Sequence, residues 1–219
     1  MLGRLQFWAR AGRGAGGGDP PARLDATRFV VLDTELTSLD HRSNRLLSIG
    51  AIAMDGGAIR LGQQFYRVVN PGVAVPASGI LIHGLRAHDV ALGEAPERVL
   101  EDLQVFLRGA VLVGHFVEID LKVLRKELAT GGHTLDNPAV DTARVHRWIL
   151  RQGYSEDLAD RLEDISLASL AKAYGLEFQE AHHALDDAFV TARLWQRFVP
   201  LLAERGVRDL KRLLRIAGV

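Results

Sequence analysis

The sequence contains no cysteine, which removes disulfides, thiolate nucleophiles and cysteine-ligated zinc from the possible chemistries. It has no apolar run approaching the roughly 18–20 residues needed to cross a bilayer, so no membrane partner is expected. The opening stretch, MLGRLQFWARAGRGAGGGDPPARLDA, lacks the continuous hydrophobic centre of a secretory signal, and a cytoplasmic location is expected. Net charge is also missing. The 27 basic side chains balance 27 acidic ones, so the chain as a whole carries no electrostatic signature of a nucleic-acid binder. There is no internal repeat.

The composition present is that of one globular domain with short appendages: 219 residues, 47% hydrophobic and 25% charged. Charge is unevenly spread. Residues 1–28 carry five Lys/Arg against two Asp/Glu, residues 193–219 carry seven against two, and the stretch between them holds 15 basic and 23 acidic residues. An acidic body grips long duplex DNA poorly, because that binding neutralises many phosphates. It suits an enzyme that gathers carboxylates around divalent cations, since the ions reverse the local field. The basic ends can help hold a polyanion or simply be solvated helix faces.

Residues 11–22 are rich in Gly and Pro without apolar period, so residues 1–27 read as a flexible segment before a domain that begins near Arg28. Three strands are predicted over 29–35, 45–54 and 58–70, the last two joined by a hairpin turn at Asp55-Gly56-Gly57. Pro71 closes the third strand. The period then becomes helical. Pro96 opens a helix carrying Val99, Leu100, Leu103, Phe106 and Leu107. A short strand at 110–114 leads into a helix over 117–130, and residues 140–145 read as a strand or a helix start. Ser166 is a natural N-cap and Gly175 a natural helix stop. The last long helix is predicted over 183–199, before Pro200, with a basic helix in 200–219. The fold class is therefore α/β, a mixed sheet flanked by helices.

Within this frame four acids face inward. Asp33 and Glu35 lie two apart on a strand, so both project from one face while Val30 and Leu32 project from the other. Asp120 falls within the apolar stripe formed by Val117, Leu121, Leu124 and Leu128, where an unpartnered carboxylate is costly. Glu118 and Glu127 lie off that stripe and read as solvent residues. Asp187 aligns with Val190, Leu194 and Phe198, whereas Asp186 aligns with Arg193 and Arg197 on the polar side. All-oxygen ligation suits hard cations, Mg2+ or Mn2+, and four carboxylates can hold two of them. An imidazole can take a proton from water near neutral pH, and His182-His183 stands just before Asp187. Spacing alone leaves the choice between these two open.

Read together, VVLDTELTSLD, VLVGHFVEIDLKVL and HHALDDA resemble, in order, the three motifs of the DEDDh exonuclease family, which includes the proofreading epsilon subunit of bacterial DNA polymerase III. VNPGVAVPASGILIHGL, VDTARV and SLASLAKAYGL are similar to intervening segments of the family, and the resemblance spans about residues 28–199. It implies an RNase H-like five-stranded mixed sheet, a three-strand antiparallel meander plus parallel strands. It implies two Mg2+ or Mn2+ ions on Asp33, Glu35, Asp120 and Asp187, with His182 as general base. The implied activity is release of nucleoside monophosphates from a single-stranded 3' end, DNA slightly preferred, with a DNA polymerase or repair complex as an implied partner. By the same resemblance, backbone around Leu36 and Thr37 contacts the terminal nucleotide, and His83 and His115 belong to the substrate cleft. A loop-stabilising role explains His83 equally well. Leu36, Ser38 and Phe116 depart from the family's usual Thr, Gly and Asn, which bears on substrate preference and leaves the acids intact.

Other readings have identifiable costs. RNA or a short oligonucleotide would suit the same motifs. An aspartate-nucleophile phosphatase would need a second Asp where Glu35 stands. A non-catalytic nucleic-acid or polymerase-binding module, carried by the basic C-terminal helix, leaves the retained acids and histidine without a purpose.

Overall fold

The structure is a computed structural model and describes residues 22–38, 40, 43–73, 84–153, 164–177 and 183–219. Strand β1 (Arg28–Leu36) lies at its centre, with Phe29 through Leu32 all buried. An apolar run with no polar alternation is what a strand covered on both faces requires. β1 pairs antiparallel with β2 (Leu46–Asp55), which turns at Gly56-Gly57 into the antiparallel edge strand β3 (Ala58–Val68). Gly56 adopts φ 56° in that turn, a conformation a side chain would strain. On its other side β1 pairs parallel with β4 (Val111–Gly114), and β4 pairs parallel with β5 (Ala139–Asp141). The order β3-β2-β1-β4-β5 is the expected meander joined to a parallel pair.

Helices cover both faces. Val30 and Leu32 pack against α2 (Pro96–Leu107) and α3 (Glu118–Thr130), while the short α1 (Ala87–Ala91) packs Val90 near Leu47. Phe29 and Val31 point to the opposite layer, built from α4 (Thr142–Arg151), α5 (Leu167–Ala173), α6 (Ala184–Glu204) and α7 (Leu210–Ala217). There Trp195 meets Phe29 edge-on, with ring centroids 5.0 Å apart. Each such large side chain removed from water contributes roughly 1.5–3 kcal/mol. No helix among the described residues is long and apolar enough to cross a membrane.

Two local expectations change. The last long helix does not stop before Pro200 but continues through it to Glu204. Pro200 lies on the exposed side, where the Gln196 carbonyl that loses its amide partner can be hydrated. The C-terminal helix α7 docks on its own domain, with Leu213 and Ala217 fully buried in the core of the α6 layer. The segment just before Arg28 is tied to it, with Leu24 N–H donating to the Arg208 carbonyl at 3.0 Å and Leu210 N–H to the Ala22 carbonyl at 2.9 Å. Finally, Glu127 is not a solvent residue. It is buried and receives the Arg45 guanidinium at 2.8 Å, because the chain entering β2 folds over α3.

Candidate active site

Because β1, β4 and β5 run parallel, their C-terminal ends share one end of the sheet, and α3 and α4 begin there. The start of α6 is brought to the same place by a glycine. Gly50 of β2 pairs with Asp33 of β1 and with Tyr66 of β3, so the three form a row across the sheet. A Cβ on Gly50 would sit 2.2 Å from the Ala184 carbonyl carbon and the Leu185 nitrogen. The bare backbone at Gly50 is thus what lets the first turn of α6 rest on the sheet, and Asp187 lies in that turn.

One carboxylate oxygen each from Asp33, Glu35 and Asp187 falls within 4.8 Å of the other two. These are the residues the strand and helix periods selected. Asp120 is buried beside them on α3 but is not a member of that mutual set. Its Oδ1 accepts a hydrogen bond from the Thr34 hydroxyl at 2.6 Å. Thr34 alternates to the α3 side of β1, so it fixes the fourth acid at the strand end from the opposite face.

Burial and mutual repulsion govern the electrostatics of the group. Burial, then the charges of Asp120, Glu35 and Asp187, push Asp33 well above the usual carboxylate range. Burial, followed by Asp187 and Asp120, lifts Glu35 to about 8. Burial lifts Asp120 to about 7 against the opposing hydrogen bond from Thr34. Like charges crowded in a desolvated site are stable only when protonated or when a cation compensates them. Convergent oxygens with no sulfur or imidazole among them fit a hard divalent ion, so the residues present fit the group the motifs imply.

Asp141, which spacing did not single out as a site residue, organises the α3 side. Its carboxylate caps α4 by accepting from the Ala143 and Arg144 amides at 2.8 and 3.2 Å. The same carboxylate accepts from Val117 N–H at 3.0 Å, tying the start of α3, and with it Asp120, to β5. The N-cap pattern D-T-A-R after an apolar strand was the available signal.

The remaining sequence candidates divide. His182 and His83 lie outside the described residues. His115 does not join the acids: its Nδ1 is 2.9 Å from the Thr142 hydroxyl, which itself donates to the Gly114 carbonyl at 3.1 Å. That chain of donors places a proton on Nδ1, and burial lowers the ring's pKa. The Leu36 side chain packs on the core under α2 and α3. Thr37 is engaged twice by Arg45, its N–H donating to the carbonyl at 3.0 Å and its hydroxyl accepting from the amide at 2.9 Å. His183 forms the N-cap of α6, and its ring lies 4.5 Å from that of Tyr66.

A mixed, helix-covered sheet with acids converging at the C-terminal ends of its parallel strands has the RNase H-like architecture. Comparison with known proteins narrows this. The RNase_T exonuclease family model matches residues 30–195. The chain belongs to that family and carries a 3'→5' exonuclease domain of the DEDDh kind. It is 30% identical to DNA polymerase III subunit epsilon of Aquifex aeolicus over 83% of either chain. It is 33% identical to a DNA polymerase III subunit epsilon-like protein of Rhodobacter capsulatus, over 90% of this chain but 27% of that one. It also matches the PolC-type DNA polymerase III of Thermotoga maritima at 30% identity, over 86% of this chain and 13% of that polymerase. The chain thus spans about a quarter or less of these last two relatives. Among solved structures, E. coli exonuclease I in complex with a dT13 oligonucleotide shares the fold with a TM-score of 0.70 at 20% identity, over 82% of this chain and 42% of that one.

Proposed function

We propose that this chain hydrolyses the terminal phosphodiester at the 3' end of single-stranded nucleic acid, DNA being slightly preferred, and releases nucleoside monophosphates. The observation that carries this reading is the convergence of Asp33, Glu35 and Asp187 oxygens within 4.8 Å, in a chain of the exonuclease family. Asp33, Glu35 and Asp187 would hold two Mg2+ or Mn2+ ions together with Asp120, whose carboxylate Thr34 orients. When bound, such a pair of ions supplies an activated water and neutralises charge on the leaving oxygen. His182, one residue ahead of the α6 N-cap, accepts the proton of the attacking water. Leu36 and Thr37 border the terminal nucleotide, and His83 and His115 belong to the walls of the same cleft. The dT13 bound to exonuclease I and the polymerase III relatives support a single-stranded DNA end as substrate and a replication polymerase or repair complex as partner.

The test is digestion of a 5'-labelled oligonucleotide with Mg2+, comparing wild type with Asp33→Ala on matched single-stranded DNA, single-stranded RNA and mismatched duplex ends. A ladder shortening from the 3' end, dependent on the ion and abolished by Asp33→Ala, is expected, fastest on DNA. Ladder formation that survives the substitution would remove Asp33 from the mechanism.

A further inference from the structure

A cleft of about 330 Å3 lies between the start of α3 and the start of α4. Phe116, Ile119 and Lys122 line one side and Ala143, Arg144 and Arg147 the other, with Glu118 and Asp141 completing the wall. It lies at the same end of the sheet as the acids, since Phe116 follows β4 and Asp141 ends β5 there, parallel to β1. Three features set the cleft apart from an ordinary surface groove.

The first is Phe116. Its ring is 40% exposed, and its backbone takes φ 53°. A left-handed conformation is uncommon for a bulky residue and turns the side chain outward at the end of β4. The ring stands edge-on to His115, with centroids 4.5 Å apart, which braces it from behind. The second feature is the state of the acids. Glu118 is paired with Arg144, and the Asp141 carboxylate accepts three backbone amides. The third is the state of the cations. Lys122 and Arg147 are exposed and make no ion pair or hydrogen bond among the described residues. The uncommitted charge of the cleft is therefore two positive groups flanking an exposed aromatic face.

We propose that this cleft is a subsite for single-stranded nucleic acid on the 5' side of the scissile bond, one base stacking on Phe116 and the flanking phosphates held by Lys122 and Arg147. The proposal rests on the exonuclease reading for the strand that occupies the cleft. An aromatic face accepts any base, and cations beside it track the backbone, which is how sequence-tolerant single-strand sites are built. The location also answers an electrostatic need. Four acids at the cleavage point repel a polyanion, so cations at the same end of the sheet help to hold the strand before metal neutralises the centre.

The test is fluorescence anisotropy of a labelled single-stranded oligothymidylate in EDTA, read against salt, for the full chain and its variants. Lys122→Ala/Arg147→Ala is expected to reduce the slope of log affinity against log salt by about 1.4, roughly 0.7 for each phosphate released. Phe116→Ala is expected to weaken binding about tenfold at every salt with no change of slope, and Phe116→Trp to retain it. Variants that bind as the wild type does, or a wild type that fails to bind the probe, overturn the subsite. Cleavage is scored separately in Mg2+. Cleavage with binding indifferent to these substitutions removes the subsite and keeps the exonuclease reading, whereas binding through Phe116 without cleavage does the reverse.

Discussion

Gly50 stands directly across from Asp33 in the β1–β2 pair, and the backbone of Ala184 rests on the space where its side chain would be. The convergence of the acids thus depends on an absent methyl group. Gly50→Ala must lift the first turn of α6 off the sheet, since a backbone clash at 2.2 Å cannot be relieved by a rotamer change. Displacing Asp187 by about 1 Å relative to Asp33 is expected to lower kcat about 100-fold. Overpacking should cost about 1–3 kcal/mol of stability. Cleavage rate and urea unfolding measure the two effects, and a wild-type kcat in the variant would show that α6 does not need this seat.

The raised acids give a pH dependence with a defined sign. Glu35 sits near 4.5 in the unfolded chain and about 8 in the folded one, through burial first and then Asp187 and Asp120. Between those values the folded protein keeps a proton that the unfolded chain has released. Stability therefore falls as pH rises through that window. In a chelating buffer Tm is expected to drop by several degrees between about pH 5 and about pH 8.5. Glu35→Gln should flatten the drop, and Mg2+ should raise Tm more at the higher pH, where the carboxylates are free to bind it. Scanning fluorimetry across pH checks all three, and a Tm independent of pH in chelator would contradict them.

Much of this was legible because local period decides where a side chain points. Asp33 and Glu35 share a strand face, and Asp120 and Asp187 fall on helix stripes, so four residues could be chosen from many acids before any coordinates. Partners supplied by distant chain were not legible. Glu127 lies off the apolar stripe of α3, and nothing local announces that Arg45 will cover it. Gly50 carried a weak signal, a lone glycine in an apolar strand, whose meaning depended on what would approach it. Pro200 misled for the opposite reason: a local rule against proline was overridden because the helix buries Trp195, Phe198 and Leu202 on its other side.

The Arg45–Glu127 pair anchors the connection that follows the Asp33–Glu35 strand. Its guanidinium meets both carboxylate oxygens, at 2.8 and 3.4 Å, and the neighbouring Lys126 ammonium donates to the Asn44 carbonyl at 2.6 Å. Glu127 is 4% exposed and Arg45 37%, so solvent screening reduces what the pair is worth. Glu127→Ala is expected to cost about 1–2 kcal/mol in urea unfolding, less than a fully buried pair. Because Thr37 hangs on Arg45 through two hydrogen bonds, the variant should also raise KM more than it lowers kcat. Unchanged KM would mean that this connection does not border the substrate.

The two histidines before α6 are distinguished by what already holds one of them. His183 stacks on Tyr66 with centroids 4.5 Å apart, and its Nδ1 lies 3.5 Å from Asp186, on the polar side of the helix. The His183 ring is thus seated against β3, in the row that holds Asp33 and Gly50. By the motif His182 is the proposed general base, and two substitutions separate it from His183. His182→Ala is expected to lower kcat by roughly 10²–10⁴-fold. It should also abolish the acid limb of the pH–rate profile, which a histidine base places near roughly pH 6.5. The rise in Tm on adding Mg2+ should persist, since the acids remain. His183→Ala should leave kcat and the acid limb nearly unchanged while loosening the first turn of α6. If instead His183→Ala removes the acid limb and His182→Ala keeps it, the roles are exchanged, and the Tyr66 stack must open during the reaction.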